Sequence, residues 1–142
     1  MVDSIYLSVP GQPVGKGRPR FGNGRAYTPK KTKDYEDMVA RLCREKMEMY
    51  DLETLEVPRV LHLIARFEIP KSWPKKKKEL AQRNLIHPKK PDIDNVIKII
   101  MDGMNGHIYE DDSQVYIVKG TKQYSDVPGV TVFLSWGHDD AD

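Results

Sequence analysis

The sequence predicts an α+β fold: a small mixed or antiparallel sheet with two main helices packed on one face. Three observations lead to it. Short alternating segments near both ends of the chain read as strands. Two longer segments between them carry helical periodicity. The order β, α, β, (α), α, β, β mixes the two types and ends on two strands joined by a tight turn, instead of alternating regularly. With 142 residues, the chain is long enough for one domain with a sizeable core. That domain is expected to span residues 1–136, with a basic insert at about 70–90 and a short, disordered acidic tail at 137–142.

The elements follow in order. Ser4 to Val9 alternates, with Ile5, Leu7 and Val9 on one side, which predicts a strand. Pro10 to Lys31 is rich in Gly, Pro and basic residues and is not regular throughout; Gly22-Asn23-Gly24 has the composition of a hairpin tip. Thr32 is a candidate N-cap for a helix running to about Tyr50, with Tyr35, Met38, Val39, Leu42, Lys46 and Met49 at helical spacing. Val57 to Ile69 reads as a strand buried on at least one face, ended by Pro70. Ser72-Trp73-Pro74 introduces a short basic helix, Lys75 to about Asn84, with Trp73 as a packing anchor for the insert.

The next helix runs from about Asp94 to Met104, with Val96, Ile97, Ile100, Met101 and Met104 inward and Asn105-Gly106 as its stop. Val115 to Tyr124 and Val130 to Trp136 read as two strands separated by a hairpin-like turn at Asp126-Val127-Pro128-Gly129.

Composition excludes several classes. The single cysteine, Cys43, forbids an internal disulfide, fits a reducing compartment, and falls near the apolar stripe of a predicted helix, as a packed thiol does. No apolar run approaches the ~18 residues of a membrane span. The start, MVDSIYLSVP, lacks the basic and apolar regions of a signal peptide. A soluble, cytoplasmic protein is the expectation.

The net charge of +2 hides strong segregation. Lys71 to Lys90 holds eight bases against one acid, Glu79, a net +7; Asp92 to Asp112 holds six acids against one base, Lys98, a net −5. Within the acidic segment, Asp92 and Asp94 stand at a helix start, Lys98 one turn further on, and Asp111-Asp112 just past the helix end. Carboxylates gathered this way can hold a divalent cation such as magnesium, which prefers several oxygen ligands. Phosphodiester hydrolysis needs such a cation and an activated water, and an amine such as that of Lys98 can orient the water or stabilise developing charge. A plainer reading stands beside this one. Asp is favoured at a helix N-terminus, Asp94 and Lys98 are spaced as a surface ion pair, and Asp111-Asp112 suits a solvated turn. An EF-hand is excluded by spacing. Asp102 and Glu110 are expected to be solvated, and His87 and His107 to be bystanders beside a hard cation.

The basic stretches have their own reading. Lys16, Arg18, Arg20, Arg25, Lys30 and Lys31 surround Phe21 and Tyr27 in the first loop, a pattern suited to gripping phosphates with an aromatic free to stack on an opened base. Lys89 and Lys90 adjoin the acidic segment and join this DNA-binding set. The run Lys75 to Lys78 is compatible with either DNA contact or a solvated helix face.

At the acidic segment the sequence resembles the RusA family of Holliday junction resolvases. The match is D-x-D-N-x-x-K at Asp92-Ile93-Asp94-Asn95-Val96-Ile97-Lys98, followed by Asp111-Asp112-Ser113-Gln114-Val115. The N-terminal GKGRPRF and AYTPKKT segments also match, so the resemblance covers about residues 4–136. It implies a RusA-like fold and a magnesium-dependent endonuclease, with manganese as a second candidate metal, acting on branched DNA in recombination and repair. It assigns Asp92, Asp94 and Asp112 as catalytic metal-binding acids, Lys98 as the catalytic lysine, and Asp111 as the first acid of the pair, with a less defined role at the metal. It further implies a homodimer. The insert at 70–90 looks longer and more basic than in the shortest members. A non-catalytic module that binds DNA junctions is the alternative.

Overall fold

The computed structural model describes residues 4–54 and 60–136. The tail at 137–142 and the expected start of the second long strand, at 57–59, lie outside the described residues. The elements are β1 (Ser4–Pro10), β2 (Arg20–Gly22), β3 (Arg25–Tyr27), α1 (Lys30–Met49), β4 (Val60–Glu68), α2 (Lys75–Gln82), α3 (Ile93–Met104), a single 3₁₀ turn (Asp112–Gln114), β5 (Ile117–Ser125) and β6 (Gly129–Ser135). The class is α+β, as expected from the order of the sequence patterns.

Four strands form one mixed sheet in the order β1-β6-β4-β5, and β2 and β3 form a separate hairpin. The hairpin tip is Asn23-Gly24, both at positive φ (52° and 75°), as a two-residue turn of this type requires. The alternation in β1, β4 and β6 points Ile5, Leu7, Val9, Leu61, Leu63, Ala65, Phe67, Val130, Val132 and Leu134 to one buried side. Tyr35, Val39, Cys43 and Met47 of α1, and Val96, Ile99, Ile100 and Met104 of α3, complete that core. The α1 set recurs every four residues and so forms a single stripe.

Two close approaches position α3. A Cβ on Gly103 would stand 2.8 Å from Val39 Cβ, so the absence of a side chain lets α1 and α3 meet there. A Cβ on Gly120 would stand 2.8 Å from Ile97 Cδ1, so β5 can pass directly beneath α3.

Several expectations are corrected. The last two strands do not form a hairpin: β5 pairs parallel with β4, while β6 pairs antiparallel with both β4 and β1. Strand character explains the split. β6 is apolar and largely buried, which suits an interior position. β5 is more exposed and carries Lys119 and Lys122, which suits an edge. Thr32 is not the N-cap of α1, because Pro29 holds that position and the helix begins at Lys30. The Thr32 hydroxyl is instead buried and accepts a hydrogen bond from Gly17 N at 3.0 Å. In α3, Ile99 joins the buried set, while Ile97 and Met101 are only half-buried. Trp73 does anchor the insert, stacking edge-on against Tyr124 at 5.2 Å.

Candidate active site and nucleic-acid interface

Helix α3 carries the acidic motif. Its N-cap is Asp92, in extended conformation, but the Asp92 carboxylate makes no capping hydrogen bond. It lies exposed, with Lys90 Nζ at 3.3 Å. Asp94, in the first turn, accepts from the Asn95 backbone N–H at 3.0 Å and is also exposed. Plain helix capping therefore does not account for Asp92.

Asp94, Lys98 and Asp102 follow at intervals of four along one stripe of α3, exposed at Asp94 and Lys98 and half-buried at Asp102. Lys98 does not pair with Asp94, the partner its spacing suggested. Its Nζ lies 3.9 Å from Asp102 Oδ2, and the amine itself is mostly exposed. Asp102 is not the solvated residue expected. Its side chain is only 22% exposed, and its Oδ2 also lies 3.2 Å from Lys16 Nζ. Lys16 in turn donates to Glu36 Oε2 on α1.

That arrangement corrects the reading of Lys16 as a phosphate contact. Its amine is shared by two carboxylates and is 20% exposed. Burial draws its pKa down, and the hydrogen bonds and charges of Glu36 and Asp102 more than reverse this, leaving it above the ordinary lysine value. The backbone reinforces the tie. Lys16 N donates to Asn95 O at 2.9 Å, and a Cβ on Gly15 would come within 2.6 Å of Pro91 Cβ. The loop therefore straps α1 to the start of α3, and Lys16 is its rivet.

Asp111 and Asp112 sit in the tight turn before β5. Asp111 accepts from Ser113 N at 3.0 Å, while Gln114 Oε1 accepts from the backbone N–H groups of Glu110 and Asp111. This is a capping box, and the Ser113 hydrogen bonds hold the Asp111 carboxyl below its usual pKa. Asp112 is half-buried, and no described hydrogen bond or ion pair engages its side chain. Beneath the turn, the buried Tyr109 hydroxyl donates to Met101 O at 2.8 Å. Burial raises the pKa of that phenol, and the nearby charge of Asp112 adds to the effect. Tyr109 thus links the turn to the last part of α3.

The donors suit magnesium in kind, being carboxylate oxygens that a hard cation prefers. The present arrangement gathers them only in part. Among the described residues, no three His, Cys, Asp or Glu side chains stand close enough to share one metal ion. Asp92 and Asp94 have partners that a cation can displace: an exposed lysine pair contributes about 0–1 kcal/mol. Asp111 is committed to its turn. The glutamate and histidines near the motif do not join the set. Glu110 and His87 are exposed, and His107 is half-buried, with burial lowering its pKa.

A cleft of about 700 Å³ opens directly beside Asp92, lined by Arg18, Lys31, Lys90 and Asn95 over an apolar floor that includes Pro13, Pro19, Pro29 and Pro91. Asn95 was not singled out from the sequence; its place inside the D-x-D-N motif was the available signal. The β2–β3 hairpin leaves and rejoins the chain between Pro19 and Pro29, which both line the cleft. Phe21 is 81% exposed, so it is not tucked onto the core. Arg25 and Lys31 are exposed, Lys30 pairs with Asp34 at 2.7 Å, and Arg20 lies in β2 opposite Tyr27.

Residues 10–135 match the family model described as "Endodeoxyribonuclease RusA". The chain is also 38% identical over 141 residues to the uncharacterized protein YqaN of Bacillus subtilis (strain 168), covering 94% of this chain and 96% of that one.

Proposed function

The chain belongs to the RusA endodeoxyribonuclease family, and from that premise we propose that it is a magnesium-dependent endonuclease that cuts branched DNA and resolves four-way junctions in recombination and repair. One observation carries the proposal. The uncapped, exposed Asp92 stands at the wall of a cleft whose other walls carry Arg18, Lys31 and Lys90. An acid placed where phosphates are gripped is repelled by them unless a cation lies between.

Asp92, Asp94 and Asp112 would hold the cation; manganese is the natural substitute for magnesium. When bound, that cation neutralises charge on the phosphate and lowers the pKa of a water. The protein's own groups do the rest. Arg18, Lys31 and Lys90 seat the phosphate, and the exposed Lys98 amine places a positive charge one helical turn from Asp94. Asp111 fixes the turn that presents Asp112. Phe21, on the β2–β3 hairpin, can stack on a base opened at the branch point.

A homodimer fits a substrate with paired strands to cut. The sheet face opposite the core supports it, since Tyr6 and Phe133 stack there at 5.5 Å while remaining 48% and 42% exposed.

A second reading, a junction-binding module without activity, is favoured by the absence of three gathered metal-binding side chains among the described residues. Purified protein incubated with four-way, flap and linear duplex DNA separates the two. Cutting of the four-way junction only when magnesium or manganese is added is expected. Tight junction binding with no cutting in either metal would establish the second reading.

A further inference from the structure

The segment from Lys71 to Lys90 is the most basic part of the chain, and apart from Lys89 and Lys90 its cations belong to none of the roles assigned above. Its cations fall into two groups. Lys71 and Lys78 border a small cleft shared with Glu68 and Asp126, and so face acids. Lys75, Lys76, Lys77, Arg83 and Lys89 are exposed, and no described ion pair engages any of them.

A solvated charge run has no need of a rigid base, but this one has several anchors. Trp73 stacks against Tyr124 of β5, and Lys77 Nζ lies 4.1 Å from the centre of the Trp73 ring. Ala81 and Pro88 are buried. Lys122 of β5 spends its amine on the backbone of the segment, donating to Lys89 O at 3.1 Å and Pro91 O at 3.0 Å. One cation is thus used to pin the segment and Lys77 covers the Trp73 ring, while Lys75, Lys76, Arg83 and Lys89 are held out into solvent. The pinned end runs directly into Asp92.

We propose that α2 and the segment following it form a fixed phosphate-gripping rail for duplex DNA flanking the cleavage site, contributing affinity without sequence reading and without a part in the chemistry. The partner follows from charge and dimensions. An eight-residue helix is about 12 Å long, and duplex DNA presents one negative charge per ~1.7 Å of its axis, so about seven phosphate charges pass along the length of α2. An anchored cation loses less side-chain freedom on contact than one on a loose loop. The inference rests on the DNA-cutting function proposed above.

The test compares wild type with Lys75→Gln/Lys76→Gln/Arg83→Gln and with the charge-keeping Lys75→Arg/Lys76→Arg. Binding of a fluorescently labelled four-way junction is titrated across salt concentrations in calcium, and cutting is timed in magnesium with enzyme in excess. Each phosphate contact contributes about 0.9 to the slope of log affinity against log salt, so the triple variant is expected to lose about 2 to 3 in slope. Its cutting rate at saturation should stay within about twofold of wild type, and the arginine variant should keep the full slope. An unchanged slope in the triple variant would overturn the rail, as would a saturated cutting rate that falls along with affinity. Wild type that binds with the full slope yet never cuts would sink the nuclease reading and leave the rail standing.

Discussion

The acidic segment 92–112 and the basic segment 71–90 carry nearly opposite charges and use them in opposite ways. Most of the acidic segment's carboxylates are engaged inside the protein: Asp92 with Lys90, Asp94 with the Asn95 N–H, Asp102 with Lys16 and Lys98, and Asp111 with Ser113. In the basic segment only Lys90 has a described ion pair. Charge that is answered internally holds the architecture. Charge that is left unanswered on a rigid support is available to a partner. The two exceptions in the acidic segment differ in burial: Glu110 is exposed, while Asp112 is half-buried and its charge adds to the raised pKa of the buried Tyr109 phenol.

The comparison breaks most sharply at Asp94. Its only described partner is the neighbouring backbone N–H, so it has little structural work, and its removal should fall on activity. Asp94→Asn is expected to lower junction cutting in magnesium by about 10²–10³-fold or more while leaving junction binding intact. Cutting at the wild-type rate by this variant would remove Asp94 from the site and bring the motif back to helix-end electrostatics.

Gly103 tests the architecture that carries the motif. Ala there would place a methyl 2.8 Å from Val39 Cβ and 3.2 Å from Glu36 O, and overpacking of this kind costs about 1–3 kcal/mol. Urea unfolding should show the loss. Because α1 and α3 would be pushed apart, the Lys16 bridge between Glu36 and Asp102 should weaken as well. A stability equal to wild type would mean that the two helices are not in fixed contact at this point.

Asp102→Asn separates an internal charge from a catalytic one. Lys16 and Asp102 are each about one-fifth exposed, so the pair is partly desolvated, and its loss should cost about 1–2 kcal/mol. The same change frees Lys98 from its neighbour at 3.9 Å. A fall in kcat with unchanged KM, beyond what the loss of stability explains, would make Asp102 a positioning residue for Lys98. A change in stability alone would leave it purely architectural.

Much of this was legible in the sequence, and the failures share a cause. Alternation in β1 and β4 and the helical period of α1 are local patterns that tertiary structure merely uses, although the buried stripe of α1 runs through Tyr35, Val39, Cys43 and Met47 and leaves Met49 of the expected set exposed. Cys43 was read as a packed thiol and is buried, its pKa pushed up to about 12 by desolvation. Partnerships between distant residues were not legible. Nothing local in β5 and β6 says that β4 inserts between them. Nothing in GKGRPRF says that its lysine turns inward to Glu36 and Asp102 while Arg18 stays exposed. Spacing proposed Asp94 for Lys98, but its neighbour is Asp102, equally spaced on the other side, a carboxylate also held by Lys16.

The smallest expected effect is also the one that reads internal charge most directly. Lys16 has a pKa raised above its ordinary 10.5, so it contributes stability that is fully present below that value and is lost as pH rises through the raised one. Asp111 has the opposite sense. Its lowered pKa contributes stability present above the ordinary 3.8 and lost as pH falls through the lower value. Urea midpoints for wild type and Lys16→Met should therefore differ by a constant amount from about pH 6 to 9, and the difference should shrink only as pH rises above the ordinary lysine value of 10.5 and through the raised one. Ser113 N donates to Asp111 within one turn, so Asp111→Ala should leave the alkaline limb unchanged and flatten only the acid one. If Lys16→Met and wild type instead keep the same separation throughout that alkaline range, the lysine stem packs the strap and its charge is not what binds α1 to α3.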